Sequence, residues 1–254
     1  MKRKLLYLIV VSGLASTLSA CAPDPKPEFQ AWPTQQRAQT QIDLGFSYLE
    51  RDQIDIARES FQTAIGVDPK SSDAYHGLGL VEAKALNLGE AKRYLKRAVD
   101  LDSTNIAAVS DYAVMLCQEG EAHSGVAILE NNVKLPFESG LATKMAFGRC
   151  YQADNQIDKA TIAYKEALVL DPDLPQALLS MAHLKYDSEN YLSASAFLQR
   201  YFYTNTISSD ALLLGANVEQ ILNNPEERDY YTQQLWARYP RSKQAIKARE
   251  LYSQ

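Results

Sequence analysis

Histidine and cysteine are scarce in this chain, with three of each among 254 residues. His76, His123 and His183 stand far apart. None shares a spacing with a cysteine or a carboxylate pair that would hold a metal ion or run acyl transfer. Basic residues are outnumbered too, 26 Lys and Arg against 31 Asp and Glu. An acidic domain without a basic stripe is a poor binder of nucleic acid, and of anionic lipid by charge. The apolar run at residues 5–11 is too short to cross a bilayer as a mature helix. Gly77-Leu78-Gly79 follows no strand, so it does not read as a phosphate loop, and Glu226-Glu227 reads as a solvated turn. No enzymatic activity, cofactor, metal or small-molecule substrate is expected.

What is present is a pattern that returns every 34 residues. Leu44-Gly45, Tyr48, Ala57, Phe61, Ala64 and Pro69 recur as Leu78-Gly79, Ala91, Leu95 and Ala98. They return as Phe147-Gly148, Tyr151, Ala160, Tyr164, Ala167 and Pro172. This is the tetratricopeptide pattern, two helices per unit with small residues where they approach and large ones between. The units run over residues 38–71, 72–105, 106–140, 141–174 and 175–208. A weaker sixth carries Leu214-Gly215, Tyr231 and Pro240, and residues 242–252 form a closing helix. Repeat three is degenerate: Gly125 and Asn132 replace the two alanines, and one extra residue precedes the next register. The expected fold is all-α, a right-handed α-α superhelix of about six repeats with about thirteen helices. Proteins of this build usually hold other proteins.

The N-terminus stands apart. Lys2, Arg3 and Lys4 precede the apolar run, and Leu18-Ser19-Ala20-Cys21 resembles a bacterial lipobox. The resemblance implies a signal peptide at 1–20, cleavage before Cys21, and lipid on its sulfur and its new amino group. Ala22 after the cysteine favours an outer-membrane anchor facing the periplasm. Cleavage leaves 23 basic and 31 acidic residues, a net charge of about −8. Residues 21–36, with Pro23, Pro25, Pro27 and Pro33, read as a lipidated extended tether before a solenoid over 37–254.

Two further cysteines, Cys117 and Cys150, fall on first helices of consecutive repeats. The repeat frame allows a bridge between them; two small buried side chains are the alternative. On the first helix, Ile42, Phe46 and Leu49 form a second apolar stripe beside the core signature. It continues through His76, Leu80 and Ala83, then Ser110, Val114 and Cys117. Ile42, Phe46, Leu49, Leu80 and Ala83 therefore read as a groove for a protein partner, unless Phe29 and Trp32 fold back over it. The stripe holds none of the Lys, Arg and Asn of a carboxylate clamp.

The segment Ser110-Asp111-Tyr112-Ala113-Val114-Met115-Leu116-Cys117-Gln118-Glu119-Gly120 resembles the N-N-Y-G-x-F-L-C-x-x-G segment of the type IV pilus biogenesis lipoproteins, the PilW/PilF family. Gly148-Arg149-Cys150, Leu212-Leu213-Leu214-Gly215 and Tyr239-Pro240-Arg241-Ser242 resemble three further family segments, so the likeness covers nearly the whole chain. It departs at Ser110, Asp111, Ala113 and Met115. The resemblance implies a non-enzymatic pilotin that brings the secretin PilQ to the outer membrane or helps it multimerise. It also implies a disulfide on Cys117 and Cys150, and secretin contact at Ile42, Phe46 and Leu49. A repeat lipoprotein serving barrel assembly or peptidoglycan machinery is the competing expectation.

Overall fold

Thirteen helices and no strand form among the described residues, 34–134 and 139–252 of the computed structural model. Helix α1 (Thr34–Glu50) pairs with α2 (Ile54–Val67), and α3 (Ser72–Lys84) with α4 (Leu88–Leu101). The third hairpin is α5 (Ile106–Gln118) with α6 (Ala122–Asn132), and the fourth is α7 (Leu141–Ala153) with α8 (Ile157–Leu170). Then come α9 (Pro175–Asp187) with α10 (Tyr191–Tyr203) and α11 (Ser209–Ile221) with α12 (Pro225–Arg238). Helix α13 (Lys243–Tyr252) closes the array. These are the six tetratricopeptide units and the closing helix that the period predicts. The signal peptide, Cys21, most of the tether, Phe29 and Trp32 lie outside the described residues.

Two expectations need correction. Helix α1 begins at Thr34, so residues 34–36 belong to the first hairpin and not to the tether. Leu44, placed in the core by its register, is 40% exposed. Its counterpart Leu78 is covered by the repeat before it, and among the described residues α1 has no earlier helix to cover Leu44.

Each hairpin turn repeats one device. Asp52, Leu86, Gly120, Asn155, Glu189 and Asn223 hold a left-handed backbone, 34 residues apart except for the 35 between Gly120 and Asn155. The next residue donates its N–H to the carbonyl five positions back, as in Gln53 to Tyr48, Asn87 to Glu82 and Asn224 to Glu219, each at 2.9 Å. Helix ends are closed this way because the last carbonyls otherwise lack donors. Between hairpins, the Oδ1 atoms of Asp68, Asp102 and Asp171 accept the N–H of Lys70, Thr104 and Asp173. Repeat three has Val133 at that place, and α6 runs only 11 residues against 14 in α2, α4 and α8. Its degeneracy is a shortened second helix.

Packing follows the spacing of small residues. The Phe61 ring lies against both Gly45 and Gly77, where an added Cβ would fall 2.7 and 2.2 Å from it. An alanine at either position would displace the ring, so glycine lets α1, α2 and α3 close around one aromatic side chain. Buried clusters then succeed one another from junction to junction along the array. Stability is thus shared between neighbours and no single core serves the whole chain.

Candidate functional site

First helices touch the next first helix in four places, α1 on α3, α3 on α5, α5 on α7 and α9 on α11. Second helices make no comparable contact with one another among the described residues. The row drawn closer together lines the inside of the curve, so α1, α3, α5, α7, α9 and α11 form the inner face.

The expected groove residues divide on that face. Ile42 is 4% exposed and Leu49 8%, and both pack in one cluster with Phe61, Leu78 and Val81. They belong to the core, which corrects their assignment to an open groove. The reason is the close approach of α3 to α1: a position that spacing alone puts beside the core stripe is covered by the neighbouring helix. The Lys84 ammonium fixes that approach by donating to the Leu49 carbonyl at 3.2 Å. Phe46 is half-buried, its ring edge-on to Phe61 at 5.0 Å and tilted over His76 at 6.0 Å. Leu80 and Ala83 are half-buried one and two turns further along α3, and Val114 is half-buried on α5. What remains open is a narrower apolar strip of Phe46, Leu80, Ala83 and Val114.

Polar pairs cross the junctions between first helices. His76 Nε2 lies 2.7 Å from Asp111 Oδ2, joining α3 to α5. Ser110 Oγ donates to Thr143 Oγ1 at 3.2 Å, joining α5 to α7. His183 Nε2 lies 2.7 Å from Asp210 Oδ2, joining α9 to α11. The His183 hydrogen bond holds the Asp210 carboxyl below the usual carboxylate range, against the burial that pushes it up. Further along the array, Gln152 Oε1 accepts from the Tyr164 hydroxyl at 2.9 Å, and Asn217 Oδ1 accepts from the Tyr252 hydroxyl at 2.7 Å.

A disulfide joins Cys117 on α5 to Cys150 on α7, with their Cα atoms 5.4 Å apart. Both residues are buried, so neither lines the groove in which Cys117 was placed. Gly125 on α6 explains how the bridge fits. An added Cβ there would lie 2.3 Å from the Cys117 sulfur and 2.7 Å from the Ala113 carbonyl oxygen. The lost alanine of repeat three is thus the space that the bridge occupies. Two cysteines facing a glycine in that register were the available signal.

Among the described residues no three His, Cys, Asp or Glu side chains gather in a way that would hold a metal ion. No described helix is long and apolar enough to cross a membrane.

No protein-family model matches the chain. The type IV pilus assembly protein PilF of Pseudomonas aeruginosa is 24% identical over 207 residues, 79% of this chain and 80% of that protein. A solved structure of Pseudomonas aeruginosa PilF superposes with a TM-score of 0.73 at 21% identity, covering 86% of this chain and 99% of that one. The structure of PilW, described as a widely conserved type IV pilus biogenesis factor, gives 0.74 at 20% identity, with coverages of 84% and 98%. At these identities the solved structures establish the tetratricopeptide superhelix. The resemblance read from the sequence is to these same proteins.

Proposed function

We propose that this chain is a type IV pilus biogenesis protein that acts as a pilotin, holding the secretin PilQ and supporting its outer-membrane localisation or multimerisation. The observation that carries this reading is the likeness to PilF, which extends over four-fifths of both chains. The lipobox at Cys21 supplies the anchor for an outer-membrane lipoprotein facing the periplasm. The inner face supplies the docking strip. Phe46, Leu80 and Ala83 offer partly open apolar surface, and Ile42 and Leu49 hold α1 and α3 in place beneath it. A scaffold of this kind works by binding and carries out no chemistry.

The test is deletion of the gene with two readouts, PilQ multimers in outer membranes and twitching motility. Loss of both supports the pilotin. Normal multimers together with depleted barrel proteins would replace it with a barrel-assembly or peptidoglycan scaffold. A pull-down from detergent-solubilised outer membrane, probed for PilQ, tests the contact itself.

A further inference from the structure

The overall acidity of the chain hides a local excess of the opposite sign. Residues 238–254 hold five basic side chains, Arg238, Arg241, Lys243, Lys247 and Arg249, against Glu250 alone. Residues 21–237 hold 18 basic and 30 acidic ones. All five cations are exposed. None forms an ion pair among the described residues: Arg238 donates to Gln234 Oε1 at 2.9 Å, and Arg249 donates to the Pro240 carbonyl at 3.2 Å.

The five stand on the end of α12, the turn after it and α13. Helix α13 packs on α11 and α12 through Ala245 and Ala248, both fully buried, with Tyr252 one turn further. Steps of three and four residues gather Lys243, Ile246, Lys247, Glu250 and Leu251 on the opposite side. All five are exposed, Ile246 by 50% and Leu251 by 51%, so no described helix covers that side. Neither the charge nor the apolar pair serves the fold. Lys243 stands in a first turn that holds no acid, although the helix dipole favours the reverse there. Ile246 and Leu251 leave half of their surface in water.

The combination selects the occupant. Cations alone would suit any acidic partner, but a peptide needs a groove to enclose its apolar anchors, and a single convex helix face has no walls. A nucleic acid backbone would engage the cations and leave Ile246 and Leu251 unused. A lipid surface matches both. Its phosphates meet the cations, while aliphatic side chains sink toward the acyl boundary, as in helices that lie in a membrane interface. Glu226, Glu227 and Asp229 stand at the other end of α12 from Arg238, where Arg228 lies over the Tyr252 ring at 5.9 Å. The contact therefore runs from Arg238 and Arg241 along the first turns of α13.

We propose that the outer face of α13, together with Arg238 and Arg241, rests on an anionic phospholipid surface. The site needs no acyl group, shares no residue with the inner-face strip and does not depend on the pilotin reading.

The experiment sediments residues 22–254, which keep every described helix and carry no acyl chain, with vesicles of phosphatidylcholine alone or mixed with phosphatidylglycerol. Binding to the mixed vesicles at low salt, none to phosphatidylcholine, and release at high salt are expected. Lys243→Glu combined with Lys247→Glu weakens binding at least tenfold, because each basic residue near an anionic surface adds severalfold. Ile246→Ser weakens it at unchanged charge. These side chains are exposed, so the circular dichroism spectrum and melting stay those of the parent. Lys70→Glu combined with Lys165→Glu, at exposed cations on other units, leaves binding intact. Absence of binding to mixed vesicles, equal binding to both kinds, full binding by the Lys243 and Lys247 variant, or equal loss in the Lys70 and Lys165 variant overturns the proposal. So does full binding by Ile246→Ser, or saturable binding of a polyglutamate peptide without binding to vesicles, which would make the patch a site for an acidic protein segment.

Discussion

Gly125 and Cys117 occupy one space: a side chain on the first would sit 2.3 Å from the sulfur of the second. Gly125→Ala therefore overfills a closed site, and overpacking of this kind costs about 1–3 kcal/mol. The part of that cost due to the sulfur disappears in a Cys117→Ala background, while the 2.7 Å approach to the Ala113 oxygen remains. A double-mutant cycle in urea measures the difference. Additive losses would mean that the glycine and the bridge are independent.

The bridge itself closes a loop of 33 residues. Restricting the unfolded chain by such a loop is worth about 2–4 kcal/mol. Cys117→Ser should lower the melting temperature in oxidising buffer and match the parent in the presence of reductant. Equal melting in both buffers would remove the bridge from the stability of the fold.

Phe46 and Ile42 lie one helical turn apart on α1 and should respond differently. Ile42→Ala empties a buried site and costs about 2–5 kcal/mol, read as a lower urea midpoint. Phe46→Glu puts a charge on the open strip; under the proposed pilotin role it should sharply weaken retention of PilQ while helicity by circular dichroism is kept. Unchanged retention would make the strip a packing surface.

Leu86 holds a left-handed backbone at an exposed turn, with φ of 62°. A leucine is strained there, and its side chain gains little from burial. Leu86→Asn keeps the turn with a residue that tolerates this conformation, and should stabilise the protein by about 0.5–1 kcal/mol. A lower denaturation midpoint would show that the side chain makes a contact worth more than the strain.

Asp210 gives the fold a dependence on acid. Its carboxyl is held down by the His183 hydrogen bond, so the folded state takes up its proton less readily than the unfolded chain. The contribution is complete above the unfolded carboxylate value of about 4 and is lost as pH falls through the lower folded value. Asp210→Asn should flatten the corresponding part of the stability curve between about pH 2 and 5, where unfolded carboxylates titrate. Urea midpoints across that range check it, and parallel curves for the two proteins would refute it.

The hairpins were legible in the sequence because packing demands the same small residues at each return. Gly45 under Phe61 and Gly148 under Tyr164 are the same solution 103 residues apart. The open part of the groove was harder to read. Spacing places Ile42 and Leu49 on one side of a helix, but only the distance to α3 decides whether that side is covered. Gly125 looked like decay of the pattern because its meaning lies in two sulfurs brought from other helices.

The covalent link between α5 and α7 sits midway along a stack in which every unit leans only on its neighbours. Fraying that begins at either terminus meets a knot at the third and fourth units. Amide exchange should accordingly be slowest around that knot and quicken outward, leaving the first hairpin free to breathe while the middle of the array stays shut.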